Sequence, residues 1–179
     1  LLEKLGLSGK TVEVLRSLDK LGKIGRDKVV EEMVAAAALT SEQANQVLDV
    51  CTTTGDVDSV LISLAAQLKG SELGEAGVER LRDVMVGMRA AGVEAQRAEI
   101  DVSIARGLDY YTGVIFETFL GDLPGIGSVC SGGRYDNLAG LFTKVELPGI
   151  GASLGLDRLL TAMQELKMIA PIRTPAPVL

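Results

Sequence analysis

Near Val93 the chain changes its hydrophobic period, and that switch limits the fold more than any other feature. Upstream, apolar residues recur at helical spacing. Downstream, glycines become dense and short runs alternate polar with apolar residues, the signature of half-buried strands. A helical module followed by a strand-rich one gives an α+β architecture. Antiparallel neighbours with few helices between them do not suggest a doubly wound sheet.

The helical module spans residues 1–95. Thr40-Ser41-Glu42-Gln43 fits a capping box in which Thr40 caps and Gln43 reaches back. Ala44, Val47, Leu48 and Cys51 follow on one helical face, and Gly55 is a stop. Val57, Val60, Leu61, Leu64, Ala65 and Leu68 repeat the pattern up to Gly70. A helix from Glu72 to Ala91 turns Val78, Leu81, Met85 and Met88 inward, with Gly92 closing it. Lys10 to Leu21 and Lys28 to Leu39 read as two further helices, separated by Gly22 and Gly25. Short connections imply a bundle of neighbours. Lys10, Arg16, Lys20, Lys23, Arg26 and Lys28 form a basic cluster, which is either a solvated helix face or a contact for a phosphate backbone.

The second module, residues 96–170, concentrates the chemistry. Glu99 to Ile104 alternates polar and apolar residues and reads as a strand; Val114 to Phe119 reads as another. Between them lies Ala105-Arg106-Gly107-Leu108-Asp109-Tyr110-Tyr111-Thr112-Gly113, which holds two of the three tyrosines in the chain. A turn-rich connection, Gly121 to Gly127, leads to a short strand at Ser128 to Cys130. Then come Ser131-Gly132-Gly133-Arg134-Tyr135-Asp136 and a short helix from Asn137 to Leu141. Gly132-Gly133 either lets the backbone approach a ligand or makes a simple turn. Gly149 to Gly155 reads as a strand with small residues on one side, feeding an amphipathic helix from Leu156. No Lys-Ser or Lys-Thr follows these glycines, which argues against a P-loop. Arg158 in the first turn of that helix opposes the helix dipole, a poor choice unless an anion binds there. Arg106, Arg134 and Arg158 all sit near glycines at strand edges. Singly each suits a surface ion pair; jointly they favour a polyanionic small ligand. Residues 171–179 form an extended, Pro-containing linker.

Composition narrows the options. The chain has 179 residues, is 47% hydrophobic and carries a net charge of −6, which argues against a broad basic face for nucleic acid; any such contact is local or depends on parts outside this chain. It has no histidine, which removes His-based triads and His-containing zinc sites. Cys51 and Cys130 lie far apart without a CxxC pair and read as buried free thiols, so no metal ligands are expected. No apolar run approaches the roughly 20 residues needed to cross a membrane. No secretory signal is visible although the chain begins at Leu1 rather than Met, and a cytoplasmic setting is expected.

Three stretches together carry a resemblance. Arg106-Gly107-Leu108-Asp109-Tyr110-Tyr111 and Ser131-Gly132-Gly133-Arg134-Tyr135-Asp136 resemble the two signatures of histidyl-tRNA synthetases, in the family's order. Gly149 to Leu160 resembles motif 3 of class II aminoacyl-tRNA synthetases. Small departures are Ser131 for the usual Ala, Asn137 for a frequent Gly, and Asp157 for the common Glu. The resemblance implies that 1–95 is the family's helical insertion domain, which lies against the tRNA acceptor stem. It implies that 96–170 is the C-terminal half of the catalytic core, and that 171–179 leads toward an anticodon-binding domain. Nothing matches motif 1, which builds the dimer interface, or motif 2, which supplies an Arg for the α-phosphate. The sequence thus resembles the middle of a homodimeric synthetase, inactive alone.

The implied reaction is ATP-dependent activation of L-histidine to the adenylate, followed by transfer to tRNA(His), with Mg²⁺ accompanying ATP. The resemblance places Arg106 at the α-phosphate and the substrate carboxylate. It places Arg158 at the γ-phosphate and gives Gly155 the role of leaving space beside adenine. Tyr110, Tyr111 and Tyr135 would line the histidine pocket, with Gly132 and Gly133 at its edge. Two other readings compete. One is the catalytically inactive regulatory subunit of ATP phosphoribosyltransferase, which the presence of both Arg106 and Arg158 argues against. The other is a tRNA-binding module without a small-molecule site, disfavoured by the density of Gly, Arg and Tyr at the strand junction.

Overall fold

A computed structural model of the chain describes residues 1–104 and 111–170. The chain divides into two compact units, Leu1–Asp109 and Tyr110–Leu179.

The first unit is helical: α1 (Thr11–Leu18), α2 (Leu21–Ile24), α3 (Arg26–Ala37), α4 (Ser41–Cys51), α5 (Val57–Leu68) and α6 (Glu72–Ala90). The expected first helix, Lys10 to Leu21, is thus shorter and is followed by the single turn α2. The capping box at α4 is present in full. Thr40 Oγ1 accepts from the Gln43 N–H at 3.1 Å, and the Thr40 N–H donates to Gln43 Oε1 at 2.9 Å. Asp56 caps α5 by accepting from the N–H groups of Asp58 and Ser59, both at 3.1 Å. Ser71 caps α6 through the Gly74 N–H. Gly92 terminates α6 at φ +85°, the left-handed conformation that favours glycine after a helix.

Two apolar clusters hold the unit. One joins α1, α3 and α4 through Val14, Leu18, Val29, Met33, Val47 and Leu48; the other joins α5 and α6 through Val60, Leu61, Leu64 and Val78. Burying a side chain such as Met33 contributes about 1.5–3 kcal/mol. Of the residues expected on the inner face of α5, Ala65 is exposed.

Glu99 to Ile104 is not a strand. A 3₁₀ turn at Ala95–Arg97 precedes it, and Asp101 Oδ1 accepts from both the N–H (2.8 Å) and the hydroxyl (2.6 Å) of Ser103. Ile100 and Val102 pack against the α5–α6 cluster. A local side chain-to-backbone turn has displaced the extended conformation that the alternation favoured.

The second unit is a three-stranded antiparallel sheet in the order β1 (Ile115–Thr118), β2 (Cys130–Arg134), β3 (Ile150–Leu154), followed by α7 (Leu156–Glu165). Ile115 faces Gly133 and Thr118 faces Cys130; Gly133 faces Gly151 and Cys130 faces Leu154. Beyond the strands the ladder continues: the Thr112 N–H donates to the Arg134 carbonyl and the Tyr135 N–H to that of Gly149, both at 2.8 Å. The helix expected from Asn137 is a 3₁₀ turn at Ala139–Leu141.

Candidate functional site

The site is built on the sheet of the second unit. Residues directly opposite in an antiparallel pair share a face, and the face alternates along each strand. Gly133 and Gly151 are opposite, so their missing side chains point to the same side. A methyl group on Gly133 would lie 2.8 Å from Tyr111 Cδ1 and 2.9 Å from Cε1. One on Gly149 would lie 2.7 Å from Tyr135 Cε2, and one on Gly151 would meet the Tyr135 hydroxyl. Both tyrosine rings therefore rest on one face of the sheet, on glycine. Gly132 points to the other face, where a methyl group would meet the Gly151 carbonyl oxygen and Phe116 Cζ.

Two residues along each strand, the next row on the tyrosine face is Glu117, Ser131 and Ser153. It lies roughly 7 Å from the glycine row. Ser131 and Ser153 also line an open cleft of about 450 Å³, with Ser128, Gly155, Asp157 and Arg158. The row of Glu117, Ser131 and Ser153 thus lies between the tyrosines and the cleft that holds the Arg158 guanidinium.

Arg158 is fixed from the sheet side. Its Nη1 donates to the Ser128 carbonyl at 2.5 Å, which gives a first-turn arginine a negative partner in spite of the helix dipole. Ser128 is held by its own hydroxyl, which donates to the Cys130 carbonyl at 3.0 Å. Beneath the guanidinium lies Gly127 at φ +80°, a conformation that favours glycine. At Gly155 a methyl group would make only ordinary contacts, 3.5 Å to the Val129 carbonyl and 3.7 Å to Arg158, so packing within the protein does not demand glycine there.

Arg134 takes the plainer of its two readings. Its Nε donates to both carboxylate oxygens of Asp136 at 2.9–3.0 Å, and this bond, foremost among the causes, holds the Asp136 carboxyl below the usual carboxylate range. The Asp136 N–H donates to Thr112 Oγ1 at 3.0 Å, locking the start of the second unit to the end of β2. Gly132-Gly133 is neither a turn nor a loop: both residues are buried in the central strand. Arg106 and Tyr110 lie outside the described residues.

Glu117 and Ser153 of this face were not singled out from sequence; Gly149 and Gly151 were read as the small-residue side of a strand, without the tyrosine that lies over them. Among the described residues no group of three or more Cys, Asp or Glu side chains converges to hold a metal. Cys51 is a free buried thiol, as expected, and Cys130 is free but half-buried. In the helical unit, Lys20 pairs with Glu32 at 2.8 Å and Arg26 with Asp49 at 2.6 Å, so two cations of the basic cluster serve the fold.

The chain is similar to known proteins of one family. A family model described as "Histidyl-tRNA synthetase" matches residues 1–159. The histidine–tRNA ligase of Rhodopirellula baltica is 61% identical over 178 residues, covering 99% of this chain and 40% of that protein. That of Treponema denticola is 44% identical over 169 residues, covering 91% of this chain and 36% of that protein. The crystal structure of histidyl-tRNA synthetase from a Nostoc species superposes with a TM-score of 0.85 at 37% identity, over 94% of this chain and 40% of that one. The chain thus spans about 40% of the length of the first of these relatives. With a family match over most of its length and identities well above 30%, this chain belongs to the histidyl-tRNA synthetase family.

Proposed function

We propose that this chain is a segment of a histidine–tRNA ligase and carries part of the site that activates L-histidine with ATP before transfer to tRNA(His). The observation that carries the reading is the shared sheet face. Tyr111 and Tyr135 stand at one end of it and the Arg158 cleft at the other, a layout suited to an amino acid beside a nucleotide. A phenol both donates and accepts, so Tyr111 and Tyr135 can recognise the two unlike nitrogens of an imidazole. By the resemblance Tyr110 belongs to the same pocket; of the paired glycines Gly133 lies under the Tyr111 ring, while Gly132 turns to the opposite face of the sheet.

In this reading the histidine carboxylate attacks the α-phosphorus of ATP and pyrophosphate leaves. The protein contributes position and charge rather than covalent chemistry. Arg106 neutralises the charge that develops at the α-phosphate. Arg158, steadied by Ser128, presents the remaining edge of its guanidinium to the γ-phosphate. Gly155 leaves room for adenine. Mg²⁺ would accompany ATP and supply further charge neutralisation at its phosphates.

Residues 1–95 serve as the insertion domain, with the basic cluster toward the tRNA acceptor stem. Residues 96–170 serve as the C-terminal half of the catalytic core, and 171–179 as a linker to an anticodon-binding domain. The complete enzyme is a cytoplasmic homodimer. The 179-residue chain alone lacks the motif 2 arginine and is inactive. The test is histidine-dependent ATP–pyrophosphate exchange, measured for the complete enzyme and for this chain. Exchange by the complete enzyme and none by the chain is expected; no histidine dependence in the complete enzyme would overturn the reading.

A further inference from the structure

Glycine is usually explained by a positive φ or by the close approach of another backbone. At Gly151 on the tyrosine face neither applies; at Gly133 and Gly149 a backbone carbonyl, of Val114 and of Tyr135, also comes within 2.9 Å of a would-be Cβ, beside the ring. None of the three has a positive φ. What occupies the space where each side chain would be is mainly a tyrosine ring of the same chain. Gly133 carries the edge of Tyr111, with Cδ1 and Cε1 at 2.8 and 2.9 Å from a would-be Cβ. Gly149 carries Tyr135 Cε2 and Cδ2 at 2.7 and 2.9 Å, and Gly151 carries the Tyr135 hydroxyl, with Cε1 and Cζ at 3.1 and 3.2 Å.

We infer that Gly133, Gly149 and Gly151 are positioning residues that act through the two tyrosines, seating the rings against the sheet and so fixing where both phenol oxygens point. The inference rests on the proposed function, which puts those phenols in the histidine pocket. Gly149 and Gly151 lie in the segment that also leads to Arg158, but their open side is filled by Tyr135. They therefore serve the amino-acid end of the site and not the nucleotide end. Gly155, which has no ring above it, is different.

The contacts differ in kind, and the difference gives a test. At Gly151 the closest atom is the Tyr135 hydroxyl, which Tyr135→Phe removes. The ring carbons that remain need give only by a few tenths of an ångström. At Gly133 the closest atoms are ring carbons of Tyr111, which Tyr111→Phe retains. In the complete enzyme, Gly151→Ala is expected to raise the KM for histidine by roughly 10-fold or more, since displacing a positioning group by about 1 Å has large kinetic effects. The KM for ATP stays within about twofold. Adding Gly151→Ala to Tyr135→Phe produces no further loss, whereas adding Gly133→Ala to Tyr111→Phe does. If Gly151→Ala alone does not fold, the double variant with Tyr135→Phe must recover a cooperative thermal transition.

Three results overturn the inference: a rise in the KM for ATP with that for histidine unchanged, effects of Gly151→Ala and Tyr135→Phe that simply multiply, or a double variant that stays unfolded. Failure of the underlying reading looks different. In that case Tyr135→Phe and Tyr111→Phe themselves leave the KM for histidine where it was.

Discussion

Arg158 offers the sharpest test of the proposed nucleotide end of the site. Replacing it with Gln removes the charge and keeps a donor of moderate reach. A charge-assisted hydrogen bond to an ionised group is worth about 1.5–3 kcal/mol. Each 1.4 kcal/mol corresponds to a factor of ten, so the KM for ATP should rise roughly 10- to 150-fold. The KM for histidine should stay nearly level, because the tyrosines sit a row beyond the Ser131–Ser153 row that borders the cleft. Arg158→Lys separates charge from geometry. The guanidinium already spends one nitrogen on the Ser128 carbonyl at 2.5 Å and can still present its other edge. An ammonium is a point charge without that fork and cannot serve both partners as well, so lysine should recover only part of the loss. The assay is ATP–pyrophosphate exchange by the complete enzyme at varied ATP, with thermal melts to track the Ser128 tie, worth about 1 kcal/mol. A KM for ATP within about twofold of the parent in Arg158→Gln would show that the guanidinium serves only the fold.

Other expectations can be checked independently. Arg106→Ala should slow adenylation by ~10²–10³, as for loss of any pre-placed donor at a developing charge, and near-normal exchange would exclude that role. Gly77 and Gly87 lie inside α6 with nothing within 4 Å of a would-be Cβ, so alanine at either should stabilise the helical unit by about 0.5–1 kcal/mol in urea titration. Gly74→Ala is the contrast, since its methyl group would lie 2.9 Å from Leu68 Cβ; an equal gain there would refute the packing. The Cys51 thiol is pushed up to about 11 from 9.0, chiefly by burial and next by the Asp101 charge. The folded state then holds this proton more tightly than the unfolded one, so the stabilisation is complete below pH 9 and is lost as the pH rises from about 9 toward 11. Urea midpoints over that range should fall more steeply for the parent than for Cys51→Ala; parallel slopes would count against it.

Much of this was legible in the residues, for identifiable reasons. The α4 face and its capping box are local: Thr40, Gln43 and the spacing from Ala44 to Cys51 contain all that the structure uses. β1 and β3 were readable because alternation and β-branched residues survive in them. The failure at Glu99 to Ile104 came from a contest that periodicity does not register. Asp101 bonds Ser103 locally, while Ile100 and Val102 are drawn onto the helices. The Gly132-Gly133 pair was opaque for the opposite reason. Its need for glycine lies in partners far away in sequence, Phe116 and the Gly151 carbonyl for one, the Tyr111 ring and the Val114 carbonyl for the other. Arg134 and Arg158 look alike in the sequence, and only the placement of Asp136 and Ser128 separates an ion pair from a guanidinium held by a carbonyl.

The strand order has a consequence for how the second unit assembles. β2 runs Cys130-Ser131-Gly132-Gly133-Arg134, without one β-branched or aromatic residue, yet it occupies the middle of the sheet. Such a segment has little tendency to extend by itself, and paired glycines cost it still more chain entropy. It must be templated on both sides, by β1 and by β3. The glycine-bearing middle strand is accordingly expected to become ordered only once both of its neighbours are in place.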